Sequence, residues 1–267
     1  MNQSQIDIVR RLVTKNDKAI DTLTGAYPDW YVKQMNELGE KYREIRWLPL
    51  DMPRIEFDDY NEFLEFWDKE SIDVVRLKPC TAEPWTKEAH PLGTKSNYYV
   101  PQFKGMHFYT MDPDKFHENE LGIFARKYKT HPMFKKIIEQ VHDLYPFFNV
   151  TNLYIWESVK EVLPHRDQTM FWKCPTEFRA MLYDENTEPT LYVSDVEKGD
   201  SHFVDMDGMD TNAFCWSNGT QVHGSDFHGK RKQLLCINGV LSVSKTDALL
   251  ERSVAKYKDQ LNYKLNM

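Results

Sequence analysis

The sequence contains no CxxC pair. Its four cysteines, Cys80, Cys174, Cys215 and Cys236, lie far apart in a chain of 267 residues. Two of them fall in apolar runs, Phe214-Cys215-Trp216 and Leu235-Cys236-Ile237, the setting of buried reduced thiols. Long apolar runs are missing as well, since no segment approaches the ~18–20 residues that cross a bilayer. The first residues, Met-Asn-Gln-Ser-Gln, have neither the basic start nor the apolar run of a signal peptide. These absences lead to the expectation of a soluble, cytoplasmic protein. Basic charge is not in excess either. A formal net charge of −7 argues against nucleic acid or an anionic membrane as partner, while a local basic pocket for a small anion stays compatible with it. There is no internal repeat and no low-complexity segment.

What is present suffices for a large core. Hydrophobic residues make up 41% and aromatics 13%, with seven Trp, the composition of a globular chain. Residues 1 to about 70 read as mainly helical. Met35, Leu38, Tyr42 and Ile45 recur at helical spacing, Ile6, Val9 and Val13 do so more weakly, and Asn61 to Trp67 forms a short helix. Ile72 to Leu77 has a strand pattern. An irregular stretch to Met111 follows, punctuated by Pro79, Pro84, Pro91, Gly93, Pro101 and Gly105, which either covers the mouth of a site or wraps the surface. Pro132 to Tyr145 is a helix with the stripe Met133, Ile137, Val141 and Leu144.

After Phe148 the period changes to 2. Thr151 to Trp156, Phe178 to Tyr183, Thr190 to Val193, Ser201 to Met206, Ala213 to Trp216 and Gln233 to Leu241 are strand candidates parted by turn residues such as Asp207-Gly208. Strands every ~10 residues with polar turns indicate an antiparallel sandwich or barrel. A closing helix begins near Thr246, with a capping-box-like Ser244 and Asp247 and the stripe Leu250, Val254, Tyr257 and Leu261. The expected layout is one domain over 1–267: helical support and a candidate lid region over 1–149, a β core over 150–241, and a C-terminal helix over 242–267.

One stretch of that core carries chemistry. In Leu163-Pro164-His165-Arg166-Asp167-Gln168, an extended backbone places His165 and Asp167 on one face, an imidazole beside a carboxylate. A second imidazole from Gln221-Val222-His223-Gly224 would complete a two-His, one-carboxylate set, which holds Fe(II) and leaves sites open. Composition alone supplies about one His-x-acid triplet by chance, so placement must argue. The triplet follows an apolar strand. His223 opens a turn, Gly224 to Gly229, that feeds another strand. Arg231 lies eight residues past His223, where a fixed cation could grip a dicarboxylate.

Taken in order, His165-Arg166-Asp167, His223 and Arg231 resemble the pattern of the iron(II)- and 2-oxoglutarate-dependent dioxygenases. The resemblance covers roughly residues 150–241 and implies an α+β protein whose core is a double-stranded β-helix, the jelly-roll or cupin-like fold. It implies that His165, Asp167 and His223 ligate Fe(II), and that Arg231 pairs with the distal carboxylate of 2-oxoglutarate. With O2, the products would be succinate, CO2 and an oxidised substrate. Asp167, in place of the small residue of halogenating members, implies hydroxylation of an unactivated C–H bond in a small molecule or amino-acid side chain.

The family's distal-His-to-cation spacing is usually a little longer than eight, so Lys230 and Lys232 compete with Arg231. Strand alternation puts Arg231, Gln233 and Leu235 on one face and both lysines on the other. Arg179, Met181 and Tyr183 alternate on one face of their strand. If it is the interior, Tyr183 would hydrogen-bond 2-oxoglutarate and Arg179 would bind co-substrate or an anionic substrate; if not, they are surface residues. His202 and His228 are rival ligands, and Phe171 and Trp172 would wall a substrate pocket or pack in the core. The competing classes are a cupin-type isomerase or sugar-binding module, which needs no cation after the distal His, and a β-sandwich with incidental His and Asp.

Overall fold

The computed structural model describes residues 28–74, 103–110, 128, 130–159, 162–165, 175–195, 201–217 and 221–267. Its helices start where the sequence supplies a start. Helix α1 (Asp29–Lys41) follows the extended Pro28 and buries Tyr31, Met35 and Leu38 along one stripe. Helix α2 (Tyr60–Glu70) is capped by the Asp59 carboxylate, which accepts from the Glu62 backbone N–H, and it buries Phe63 and Trp67. Helix α3 (Pro132–Leu144) has Pro132 in its first turn, where the missing N–H costs nothing. His131 caps it through Nδ1, and Phe134, Ile137 and Val141 are buried. Helix α4 (Val243–Tyr257) buries Leu249, Leu250 and Tyr257. The expected capping box is not what starts α4. Its N-cap is Ser242, without a side-chain bond, and Asp247 instead accepts from Lys41 and Tyr42 at the end of α1.

The strands are β1 (Trp47–Pro49), β2 (Ile72–Val74), β3 (Phe103–Thr110), β4 (Phe147–Ser158), β5 (Val162–His165), β6 (Glu177–Asp184), β7 (Leu191–Asp195), β8 (Ser201–Phe203), β9 (Ala213–Trp216), β10 (Gln221–Ser225) and β11 (Lys232–Leu241). They form a seven-stranded sheet, ordered β1-β9-β6-β11-β4-β3-β2, and a four-stranded sheet, ordered β5-β10-β7-β8. All the pairings are antiparallel. From β4 onward the chain passes repeatedly between the sheets, which is what folds a long period-2 sequence into a sandwich.

The larger sheet has two buried faces. Leu153, Ile155, Phe178, Ala180, Leu235 and Ile237 pack with Met35, Phe63, Trp67, Phe134 and Leu250 of the helices. Trp47, Phe214 and Trp216 pack on the other side with Leu191 and Val193 of the smaller sheet, joined by Met181 and Leu234. Each fully buried side chain of this size contributes about 1.5–3 kcal/mol, so the helices form part of the core itself.

Among the described residues of the N-terminal half, strands accompany the expected helices. β1, β2 and β3 extend the larger sheet at both edges, and β3 lies inside the stretch expected to be irregular. Ile6, Val9 and Val13, and the proline-rich residues from Pro79 to Pro101, lie outside the described residues. No described helix is long and apolar enough to cross a membrane.

Candidate active site

The two histidines of the motif meet across a strand pair. β10 lies against β5, and the register sets His223 directly opposite His165. His223 is in the middle of β10 rather than at the start of a turn, because its other edge is also paired: His223 faces Val193 of β7. The His223 side chain is 8% exposed, and its ring centroid lies 5.3 Å from that of Trp216 at the end of β9. Gly224 permits this packing, since a Cβ there would collide with the Tyr192 hydroxyl and the Val162 carbonyl. Asp167, Phe171, Trp172 and the side chain of His165 lie outside the described residues. Among the described residues no group of three or more His, Cys, Asp or Glu gathers to hold a metal ion.

Of the three candidate cations Lys230, Arg231 and Lys232, the one that points into the sandwich is Lys232. Leu234 belongs to the cluster between the sheets, whereas Leu235 and Ile237 belong to the helix-packed core, so alternation along β11 points Lys232 inward. It is 3% exposed. Its ammonium donates to the Thr190 hydroxyl at 2.6 Å and to the Ser225 hydroxyl. Ser225 is two residues along β10 from His223, on the same face. Burial pushes the Lys232 amine down to about 8, against the pull of Asp184 and Asp226. This strongly desolvated cation, bracketed by two hydroxyls, can receive a carboxylate.

Arg231, the expected dicarboxylate anchor, faces the other way. Its guanidinium pairs with Asp68 of α2 at 2.5 Å and with Glu157 of β4 at 3.1 Å. Gln233, on the same face, donates to Glu157 at 2.8 Å and accepts from Tyr60. Burial raises the Glu157 carboxyl above its usual range, an effect opposed by Gln233 and Arg231. Arg231 therefore fastens α2 to the outer face of the larger sheet.

Arg179 and Tyr183 do not share a face. Between them β6 carries a bulge: Met181 pairs with Leu234 but Tyr183 pairs with Gln233, leaving Leu182 as the extra residue. One inserted residue reverses every side chain beyond it. Tyr183 accordingly stacks on Tyr60 of α2, with centroids 5.1 Å apart, and donates to Glu185; it is not in the interior. Arg179 is. It is 8% exposed, forms an ion pair with the buried Glu177, and its guanidinium carbon lies 5.5 Å from the Trp216 ring centre. Neither Glu177 nor Thr190 stands out in the sequence. Lys232 does, once alternation is anchored on a known inward residue.

The rival histidines are elsewhere. His202 pairs across β8 with Val193, which puts β7 between it and His223, about 10 Å at two strand spacings. Its ring lies against Tyr263, with centroids 5.1 Å apart. His228 is exposed in the loop before β11.

The chain matches no protein-family model and no curated protein. Among solved structures it is similar to a prolyl hydroxylase in complex with a hypoxia inducible factor oxygen degradation domain peptide fragment from Trichoplax adhaerens, at 10% identity and a TM-score of 0.37, over 89% of this chain and 98% of the other. It is also similar to a 2OG-Fe(II) oxygenase family oxidoreductase from Burkholderia pseudomallei, at 8% identity and a TM-score of 0.33, over 78% of this chain and 92% of the other. Scores this low carry no assignment, which rests on the residues themselves.

Proposed function

We propose that this protein is an Fe(II)- and 2-oxoglutarate-dependent oxygenase of the hydroxylating type, built on a double-stranded β-helix. The observation that carries the reading is the interior of the sandwich. A buried histidine on β10 stands opposite the first histidine of the His-x-Asp triplet, and a buried lysine ammonium lies beside Ser225, two residues further along the same strand. A sugar-binding module or isomerase of the same shape has no need of that lysine.

The donor set suits Fe(II): His165 and His223 from facing positions, with Asp167 two residues on, leave half of an octahedral sphere open. Bound iron with 2-oxoglutarate and O2 supplies the oxidation of a C–H bond, with succinate and CO2 as co-products. The chain's own part is binding and aim. Lys232, Thr190 and Ser225 take the distal carboxylate of 2-oxoglutarate in the role first expected of Arg231, as a charge-assisted group with two neutral hydrogen bonds. Fixing that end orients the 2-oxo acid toward the His165–His223 pair. Trp216 and Val193 border His223 and exclude water from that side.

Anaerobic titration with Fe(II) and 2-oxoglutarate tests the proposal. A weak visible charge-transfer band is expected from the natural chain. His223→Ala should abolish it, and Lys232→Met should displace it to much higher co-substrate concentration. A well-folded protein with no band at any concentration refutes the proposal.

A further inference from the structure

The larger sheet ends in β1 and the smaller in β8, so among the described residues one edge of each has no strand beside it. Backbone groups alternate between the two edges of an antiparallel strand. Because Leu50 donates to Ala213 beside β9 and Val204 donates to Leu191 of β7, Trp47 and Phe203 turn their own backbone groups outward. Open edges of this kind invite mispairing unless something covers them.

The C-terminal tail covers both. After α4 and a short 3-10 helix (Lys258–Gln260), two consecutive residues each touch both sheets. The Asn262 side-chain carbonyl accepts from the Trp47 indole N–H at 3.1 Å, and its amide donates to the Phe203 carbonyl at 2.8 Å. The Tyr263 hydroxyl accepts from the Arg46 backbone N–H at 3.1 Å and donates to the Trp47 carbonyl at 2.5 Å, while its ring lies against His202 of β8. Burial pushes the Tyr263 phenol up, so it keeps the proton it donates. Leu261 and Tyr263 also pack on the cluster between the sheets. The end of α4 is fixed independently, since Lys256 pairs with Asp51 and Asp210, and Tyr257 donates to Asp210. The tail therefore starts from a fixed point and ties β1 to β8.

What the tie holds is one wall of the proposed site. Trp47 is 1% exposed and stands opposite Trp216 in the β1–β9 register. The Trp216 ring is the one that lies against His223, so the path from Asn262 to His223 is two indole rings long. Lys232, the proposed co-substrate anchor, takes its bonds from Thr190 and Ser225 instead.

We propose that Asn262 and Tyr263 are positioning residues: the tie they make between β1 and β8 sets the gap between the sheets at Trp47 and Trp216, and thereby the direction in which His223 presents its imidazole to Fe(II). The Fe(II) part rests on the oxygenase reading above; the tie to His223 does not.

The test uses the full chain and its variants Asn262→Ala and Tyr263→Phe. Asn262 lies at the surface and phenylalanine keeps the Tyr263 ring, so both variants should fold, which circular dichroism checks. In metal-free protein the ring-proton NMR signals of His223, assigned by their loss in His223→Ala, report the Trp216 ring through its ring current. They should move in both variants, and the amides of β1 and β8 should exchange with deuterium about tenfold faster or more. In anaerobic titrations the Fe(II) concentration that gives half of the charge-transfer band should rise. Outer partners of a ligating imidazole set about 10–100-fold in metal affinity, and this tie acts from one ring further out, so the expected rise is about three- to tenfold. Half-saturation by 2-oxoglutarate at saturating Fe(II) should stay within about twofold of the natural chain. A general loosening of the fold would weaken both ligands, so the split is the mark of positioning. Unmoved His223 signals in folded variants, or equal weakening of Fe(II) and 2-oxoglutarate, would overturn the proposal. If one variant unfolds, the other decides; if both unfold, the tail is a structural strap and the positioning role is overturned. A natural chain that binds no Fe(II), but whose His223 signals move in the variants, overturns the oxygenase reading and leaves the tie to His223 standing.

Discussion

Lys232→Met replaces the proposed co-substrate anchor with an uncharged side chain of similar length. The ammonium it removes is 3% exposed and is held by Thr190 and Ser225. A hydrogen bond to a charged group contributes about 1.5–3 kcal/mol, so 2-oxoglutarate should bind roughly 10- to 150-fold more weakly. The pH dependence is a second, independent signature. With the amine pushed down to about 8 by burial, the charged fraction is roughly nine-tenths at pH 7, one-half at pH 8 and one-tenth at pH 9. Only the charged form attracts the carboxylate, so affinity in the natural chain should fall as pH rises through 8, approaching tenfold per unit above it.

The variant should fold. A lysine whose amine falls from 10.5 when exposed to about 8 when buried costs the unliganded fold stability at neutral pH, fully so below 8, and the cost vanishes as pH rises past 10.5. Methionine removes that cost but strands the Thr190 hydroxyl, at about 1–3 kcal/mol, while Ser225 keeps its bond to the Asp226 carbonyl, so the two effects largely offset. Isothermal titration calorimetry with Fe(II)-loaded protein between pH 7 and 9.5, run in buffers of differing ionisation enthalpy, measures affinity and proton uptake together. Affinity of Lys232→Met within about twofold of the natural chain, or an affinity flat across that range, would refute the assignment.

Arg231→Ala separates the two neighbouring cations. It should leave 2-oxoglutarate affinity within about twofold, while stranding the buried Glu157 carboxylate and lowering stability by about 1–3 kcal/mol in urea melts. Because burial already raises the Glu157 carboxyl, protonation relieves the stranded charge, so the deficit should shrink as pH falls from 8 to 5; a deficit that grows contradicts the ion-pair account. Gly224→Ala places a Cβ against the Tyr192 hydroxyl and the Val162 carbonyl. Overpacking of this kind costs about 1–3 kcal/mol, and because the strand that must move carries His223, Fe(II) affinity should drop with stability; unchanged metal affinity would mean the collision is absorbed elsewhere. Asp59→Ala removes the cap on Glu62 N–H, and a thermal melt should report a loss of about 1 kcal/mol.

The fold was legible where side chains repeat with one period for long enough. The stripe of α3 and the alternation through β4, β6 and β11 each span several turns or pleats, and all are found where the pattern puts them. Short strands were not legible. β1, Trp47–Pro49, has three residues, all buried, so it offers no alternation to detect. β10 contains His223-Gly224-Ser225, which reads as a turn because glycine and serine favour turns. Here the glycine serves close packing against Tyr192 and Val162, a reason that lies in other strands and leaves no local mark. Similarly, Asp247 looks like a helix cap in sequence but is drawn to Lys41 and Tyr42, about two hundred residues away in the chain.

The site divides along the same line. His223 could be picked out because it lies at a fixed remove from a strand pattern, but choosing between Arg231 and Lys232 needs the identity of the face that each occupies. Alternation had already put them on opposite faces. What it lacked was a residue known to point inward, and Leu234, packed with Phe214, Trp216 and Val193, supplies it. Tyr183 illustrates the converse. Alternation through Arg179 and Met181 is sound as far as it goes, yet a single bulge at Leu182 turns Tyr183 outward onto Tyr60. Deleting Leu182 removes the extra residue, so Met181 and Tyr183 become consecutive opposite Leu234 and Gln233, and Tyr183 should stay on the outer face against Tyr60. A structure of that deletion in which Tyr183 turned to the inner face would mean that the end of β6 had slipped its register on β11 rather than lost a bulge.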